Sequence, residues 1–160
     1  MVEPLRMNIA KLAPEGYQHL LNLEQAIASK LDRKLVHLIK LRASQINGCA
    51  YCIAMHTREA LHDGDSAERL LLLDAWQESS QFSEKERAAL QWVEEITLIA
   101  DGHAHKDAFD ALKPHFSEEE IAWLTLASSL INAWNRISIA SRAQLGASHQ
   151  APEQKVAQPA

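Results

Sequence analysis

The chain has 160 residues, of which 47% are hydrophobic and 23% are charged, and its formal net charge is −5. This length and composition fit one compact domain with a core of its own, and two cysteines are too few for a disulfide scaffold. The excess of acidic over basic residues disfavours binding to nucleic acid or to an anionic membrane. Five glycines, five prolines and few aromatic residues are too few for the many turns of a β-sandwich, so we predict an all-α fold.

The first part of the chain carries the start and stop signals of two helices, within a single domain that we predict over residues 1–145. Pro14 begins the first helix, which runs to about Lys30, because proline is well tolerated in a first helical turn. Asp32 caps the second helix, and Gly48 ends it.

The next two predicted helices contain the cysteines and a leucine-rich stretch. The first of them begins near Cys49 and ends at a turn around Gly64. Ser66 caps the second, which we predict to run through Trp76.

Two capping boxes mark the start of further helices. They are formed by Ser83 with Glu86 and by Ser117 with Glu120. The stretch between these helices, residues 101–114, holds a short helix at most. The predicted fold is therefore a compact bundle of about six or seven helices.

The long final helix is apolar on more than one face, which predicts burial on most of its sides. Either the rest of its own chain or another subunit covers it, and we predict a homo-oligomer. Its apolar residues are Ile121, Trp123, Leu124, Leu126, Leu130, Ile131, Trp134 and Ile137.

The two ends of the chain are typical neither of export nor of membrane insertion. The first ten residues lack a sustained apolar region, and nowhere do roughly 18 uncharged apolar residues run together. We therefore expect a cytoplasmic protein without a membrane partner. Residues 146–160 lack a periodic apolar face, and we predict that they form a disordered tail.

Both cysteines fall in one C-x-x-C pair, formed by Cys49 and Cys52. In a reducing cytosol such a pair is more often redox-active or metal-binding than structural. Helical spacing places both sulfurs and the imidazole of His56 on one face of a helix. The cysteines lie in its first turn, where the helix dipole favours a thiolate, and His56 can accept the proton of Cys52.

This arrangement allows a two-cysteine peroxidase cycle. Once a peroxide has oxidised Cys52 to a sulfenic acid, Cys49 can condense with it to a disulfide, which an external thiol then reduces. Two other uses of the pair stay open. A zinc site would have Cys49, Cys52 and His56 as ligands but lacks a fourth, and thioredoxin-like exchange would need a βαβ setting that the sequence does not predict.

Residues 41–57 read LRASQINGCAYCIAMHT and resemble, without a gap, the core signature of the AhpD-like alkylhydroperoxidases of the carboxymuconolactone decarboxylase family. Further similarity lies in residues 82–90 (FSEKERAAL), in the following Glu94 and Thr97, and in residues 131–136 (INAWNR). Together these matches extend over most of the chain.

The resemblance implies an all-helical fold, assembly into trimers or hexamers, and a thiol peroxidase that needs no metal or prosthetic group. It implies that Cys52 attacks the peroxide, that Cys49 resolves the sulfenic acid and that His56 relays the proton. The substrate would be hydrogen peroxide or an organic hydroperoxide, reduced in antioxidant defence. The reductant would be a thiol or dithiol that the sequence does not identify.

The chain departs from the best-known members of the family at two positions of the proton relay. Those members have a glutamate twelve residues before the first cysteine and a histidine between the cysteines, whereas this chain has His37 and Tyr51. His37 lies off the apolar stripe of its helix, which favours a position on the surface. An oligomer that buried this side would still allow His37 a part in catalysis.

The relay carboxylate could instead come from the helix that begins at Ser83. On that helix Glu86 shares a face with apolar residues and is the better candidate, and Glu94 at the margin of that face is the weaker one. Glu86 is also the third residue of a capping box, so a purely structural role explains it equally well.

Two alternative functions stay open. One is lactone decarboxylation, the reaction that names the wider family, which gains nothing from paired cysteines. The other is a redox-responsive binding or assembly protein with little turnover. Asn135 and Arg136 match the family pattern, but the sequence does not predict their role.

Overall fold

The computed structural model describes residues 3–145, and all the regular structure within them is helical. The all-α prediction is confirmed, with more helices in this range than the six or seven expected because several are very short. The predicted disordered tail, residues 146–160, lies outside the described residues. In chain order the elements are α1 (Ile9–Leu12), α2 (Pro14–Ala28), α3 (Arg33–Asn47), α4 (Ala50–His62), α5 (Ala67–Leu71), a 3₁₀ turn (Leu72–Ala75), α6 (Glu84–Thr97), α7 (Ile99–Gly102), α8 (Lys106–Leu112) and α9 (Glu118–Ser141).

The start signals read from the sequence are present as hydrogen bonds. Pro14 is the first residue of α2, and the carboxylate of Asp32 accepts a hydrogen bond from the backbone N–H of Leu35. Both capping boxes form, at Ser83 before α6 and at Ser117 before α9. These local interactions need no tertiary contact, which is why the sequence alone predicts them.

The helix expected from Ser66 through Trp76 is shorter than predicted. It ends at Leu71 and continues as a 3₁₀ turn. A 3₁₀ turn aligns residues three apart, so it brings Leu70, Leu73 and Trp76 to the same side, and all three are buried. Burial of these three side chains therefore favours the 3₁₀ turn over the continued α-helix that the sequence predicts.

The core forms around α3, which is covered on two sides. One side packs against α6 and α9, and the other faces α4 and the 3₁₀ turn. Because α3 has little free surface, several of its polar side chains are also buried. The first apolar cluster includes Leu35, Ile39, Ala43, Ala89, Val93, Leu124 and Ile131, and the second includes Leu38, Leu41, Ala60, Leu70 and Leu73.

The long helix α9 packs against α2, α3, α4 and α6 of its own chain. Most of its apolar surface is therefore covered without a partner, although Leu126 and Ile139 remain exposed. The homo-oligomer stays a prediction. Within residues 3–145 no helix is long and apolar enough to cross a membrane.

Candidate functional site

The cysteine pair lies where α3 turns into α4. Gly48 ends α3 in the left-handed conformation, with φ +67°, which glycine adopts without the steric penalty of a side chain. Cys49 then caps α4, and its backbone N–H donates to the carbonyl of Ser44 at 3.0 Å. Cys49 and Cys52 are joined in a disulfide, with their Cα atoms 5.3 Å apart. The predicted placement of both sulfurs at the start of one helix is confirmed.

Both cysteines are buried, but only one of them borders open space. Cys52 lines a cavity of about 510 Å³, whereas Cys49 is not part of its lining. A small molecule that enters the cavity therefore comes next to Cys52 and not to Cys49.

The lining of this cavity combines polar groups with apolar walls. The polar groups include Glu24 of α2, Lys40 of α3, and His56 and Glu59 of α4. The apolar walls come from α2, α4, α9 and the N-terminal residues. They include Leu5, Met7, Ile9, Tyr17, Leu21, Met55, Trp134 and Ile137.

His56 is buried beside Cys52 and forms a hydrogen bond with Glu59. Its Nδ1 lies 2.9 Å from Oε2 of Glu59, one turn further along α4. Burial lowers the pKa of His56, and the hydrogen bond to Glu59 opposes this effect. The hydrogen bond from His56 lowers the pKa of Glu59, although partial burial opposes that shift. The pair therefore consists of a neutral imidazole and a carboxylate, and Nε2 of His56 takes no part in the hydrogen bond to Glu59.

The expected surface position of His37 is wrong. Its exposed fraction is only 7%, because α4 covers this side of α3. Nε2 of His37 lies 2.6 Å from Oδ2 of Asp63, just after the end of α4, and Nδ1 lies 4.0 Å from Oε2 of Glu59. The hydrogen bond with His37 lowers the pKa of Asp63, which also pairs with Arg33. His37 therefore lies next to the His56–Glu59 pair.

Lys40 lies one turn after His37 on α3 and forms an ion pair with Glu24. Burial lowers the pKa of Lys40, and the charge of Glu59 opposes this shift. The cavity thus has one buried ammonium group close to its carboxylates.

The two glutamates proposed from the sequence as relay groups have other partners. Glu86 completes its capping box with Ser83 and pairs with Arg69 at 2.5 Å. Glu94 accepts hydrogen bonds from Nε of Arg42 and Nε1 of Trp76, both at 2.7 Å.

The carboxylate hydrogen-bonded to His56 is instead Glu59, which sequence reasoning missed. The spacing of His56 and Glu59 could have identified it, because residues three apart on a helix are neighbours on its surface.

The network around Asn135 ties α9 to the last turn of α3. Asn135 is fully buried, donates to Oγ of Ser44 at 2.9 Å and accepts from Nδ2 of Asn47 at the same distance. Asn132 also accepts from Asn47, and Nη1 of Arg136 donates to Asn132 at 2.9 Å. Asn135 therefore contacts the segment that leads into Cys49 directly, and Arg136 supports it through Asn132. The sequence did not predict these roles.

Among the described residues, His37, His56 and Glu59 form a group that could hold a metal ion. One ligand atom from each lies within 4.8 Å of the others. The zinc ligand set considered from the sequence is different, because its two cysteines are joined in a disulfide here.

The sequence matches a family model over residues 14–95, that of the carboxymuconolactone decarboxylase family. The chain belongs to this family. The uncharacterized protein YdfG of Bacillus subtilis (strain 168) is 40% identical over 136 residues, which is 84% of this chain and 92% of YdfG.

Solved structures with this fold include proteins to which different functions are assigned or suggested. A structure from Agrobacterium tumefaciens, described as a protein of unknown function and a candidate AhpD antioxidant defence protein, is 46% identical with a TM-score of 0.85, over 88% of this chain and 97% of that protein. The debrominase Bmp8 is 23% identical with a TM-score of 0.73, over 85% of this chain and 74% of Bmp8. The likeness to Bmp8 extends to the fold alone.

Proposed function

We propose that this protein is a thiol peroxidase of the AhpD type, which reduces hydrogen peroxide or an organic hydroperoxide through Cys52 and Cys49. One observation carries the proposal: Cys52 borders the cavity beside the His56–Glu59 pair, while its disulfide partner Cys49 lies outside the lining. A nucleophile in contact with the solvent space, a base next to it and a second sulfur behind it are the groups that the cycle requires.

The first step oxidises Cys52. In the dithiol form His56 takes the proton of the Cys52 thiol, and the thiolate attacks the terminal oxygen of the peroxide. The O–O bond breaks, Cys52 becomes a sulfenic acid, and the alkoxide or hydroxide leaves as alcohol or water after it receives the proton from His56. Position in the first turn of the 13-residue helix α4 stabilises the thiolate, because unpaired N–H groups converge there.

The second step closes the disulfide. The thiol of Cys49 attacks the sulfur of the Cys52 sulfenic acid, an S–S bond forms and water leaves. A thiol or dithiol reductant then returns both sulfurs to the reduced state by exchange. The Cα separation of 5.3 Å allows this bond without movement of the backbone.

Glu59 has the role of a proton acceptor and orienting group for His56. Because a carboxylate can only accept, the hydrogen bond from Nδ1 leaves Nε2 of neutral His56 without a proton. That nitrogen can then receive the proton of Cys52. The family's usual glutamate is replaced by His37 at its own position, and the carboxylate comes from α4 instead.

The same proposal extends to partners and place. The apolar walls of the cavity favour an organic hydroperoxide over hydrogen peroxide as the better-bound substrate. We expect a homo-oligomer, a trimer or hexamer, that acts in the cytoplasm in antioxidant defence.

The proposal is tested with the fully reduced protein and one equivalent of hydroperoxide. We expect consumption of the peroxide, loss of both free thiols and an internal disulfide found by mass spectrometry of the peptide that contains Cys49 and Cys52. The matched control is the Cys49→Ser/Cys52→Ser variant, which should not consume peroxide. A lactone decarboxylase would retain its activity in that double variant, and a redox-responsive assembly protein would be oxidised without repeated turnover on added thiol.

A further inference from the structure

A ring nitrogen of His37 and a carboxylate oxygen of Glu59 face each other across a gap beside His56. Nδ1 of His37 is buried and has no hydrogen-bond partner, and the nearest carboxylate oxygen, Oε2 of Glu59, lies 4.0 Å away. This distance is too long for a direct hydrogen bond. A buried nitrogen without a partner has a free-energy cost. A bound group that interacts with Nδ1 of His37 and Oε2 of Glu59 would remove this cost.

The other nitrogen of His37 is already engaged. Nε2 lies 2.6 Å from Oδ2 of Asp63. A carboxylate only accepts, so Nε2 donates this hydrogen bond and Nδ1 is the nitrogen that faces the gap. Metal-binding histidines almost always donate their other nitrogen to such an acceptor, which orients the ring toward the metal.

From this arrangement we propose that His37, His56 and Glu59 form a binding site for a divalent transition metal of the Zn²⁺ class. The three ligand atoms lie within 4.8 Å of one another, and His56 Nδ1 and Glu59 Oε2 are already 2.9 Å apart. Zinc–ligand bonds of about 2.0–2.2 Å require neighbouring ligand atoms to approach within roughly 3.5 Å, which a small movement of His37 provides. Two imidazoles and one carboxylate leave the fourth position to water.

The charges around the group permit a cation. Lys40 acts electrostatically on His56 and Glu59, but it is paired with Glu24. The three carboxylates of Glu24, Glu59 and Asp63 still outnumber the two cations that pair with them, Lys40 and Arg33.

Metal binding would inhibit the peroxidase, and this consequence alone rests on the proposed function. A metal on Nδ1 of His56 displaces the proton from that nitrogen, and the neutral ring then carries its single proton on Nε2 instead. Nε2 can then no longer accept the proton of Cys52. The metal also binds Glu59, so neither His56 nor Glu59 can then take part in the proton transfer from Cys52.

The test measures Zn²⁺ binding without any cysteine ligand. Isothermal titration calorimetry of the Cys49→Ser/Cys52→Ser variant should show one zinc ion per chain. His37→Gln in that background should weaken the affinity at least tenfold, and Asp63→Asn should weaken it about 10- to 100-fold because it removes the orienting hydrogen bond. The matched control is His105→Gln, which removes an exposed histidine paired with Glu95 and should leave the affinity unchanged.

Either no binding at one equivalent, or binding that His37→Gln leaves unchanged, overturns the proposal. A second measurement guards against a misfolded variant. In the unmutated disulfide form, Zn²⁺ should shift the ring nitrogen NMR signals of His37 and His56 and leave that of His105 in place; the reverse pattern identifies an adventitious surface site. Because neither experiment measures peroxide turnover, the metal site and the peroxidase can fail independently.

Discussion

Glu59 accepts a hydrogen bond from His56 at 2.9 Å, and both residues lie on the helix that begins with the cysteines. The nucleophile, the base and the carboxylate of the proposed relay therefore belong to one rigid element. Their spacing is held by the backbone of α4 and does not depend on how another helix docks.

Glu59→Gln should lower kcat/KM for hydroperoxide on the order of tenfold, less than the roughly hundredfold or greater loss expected for His56→Gln. The glutamine keeps the size of the side chain but removes the charge that stabilises a protonated His56. Steady-state assay with a thiol reductant measures both. Glu86→Gln is the control, because Glu86 is bound by Ser83 and Arg69, and it should stay within about twofold of the unmodified protein. A larger loss in Glu86→Gln than in Glu59→Gln would refute the assignment of the relay carboxylate.

Asn135→Ala should destabilise the protein by about 1–3 kcal/mol, because buried Ser44 and part-buried Asn47 each lose one hydrogen bond. Urea denaturation followed by circular dichroism measures the change. Ser129→Ala, an exposed substitution on the same helix, should change stability by less than about 0.5 kcal/mol. Equal effects of the two substitutions would show that the network does not hold the end of α3.

Two glycine-to-alanine substitutions should change the stability of the protein in opposite directions. Gly48→Ala should destabilise the protein by about 1–2 kcal/mol, because its φ of +67° is unfavourable for alanine. Gly16→Ala, inside α2 with open space around an added Cβ, should stabilise it by about 0.5–1 kcal/mol. Thermal unfolding of both variants gives the comparison. Stabilisation by Gly48→Ala would mean that the turn before Cys49 is not built as described.

The N-terminal residues should determine how well bulky peroxides bind. Leu5 and Met7 line the cavity, and the segment is held by the hydrogen bond from the backbone N–H of Arg6 to the carbonyl of Ser141 at 2.9 Å. Leu5→Ser/Met7→Ser should raise KM for cumene hydroperoxide about threefold to tenfold, because apolar contact area is lost. KM for hydrogen peroxide should change little.

The control for this effect is Leu12→Ser, which changes an exposed leucine outside the cavity lining. Its KM for cumene hydroperoxide should stay unchanged. A parallel change in KM for both peroxides in the double variant would indicate a general disturbance of the site instead of a specific apolar wall.

The elements that depend on local interactions could be predicted from the sequence. The caps at Asp32, Ser83 and Ser117 and the shared face of Cys52 and His56 follow from spacing along one segment, and each is confirmed. The family relationship was also recognisable from the residues around the cysteine pair.

The errors arose where partners come from distant parts of the chain. His37 looked exposed because an apolar stripe identifies only one buried face, whereas α3 is also covered by α4 and Nε2 of His37 is paired with Asp63. Glu86 looked turned toward the core, but Arg69 from α5 binds it. Glu59 was overlooked although it lies on the cysteine helix itself, since its exposed position gave no periodic signal.

The most direct measurement asks which sulfur the peroxide oxidises. Cys49→Ser and Cys52→Ser are each reduced, treated with one equivalent of hydroperoxide in the presence of dimedone, and analysed by peptide mass spectrometry. We predict rapid peroxide consumption and a dimedone adduct on Cys52 in the Cys49→Ser variant, and neither in Cys52→Ser. Rapid consumption with an adduct on Cys49 in Cys52→Ser would contradict the assignment of Cys52 as the attacking cysteine.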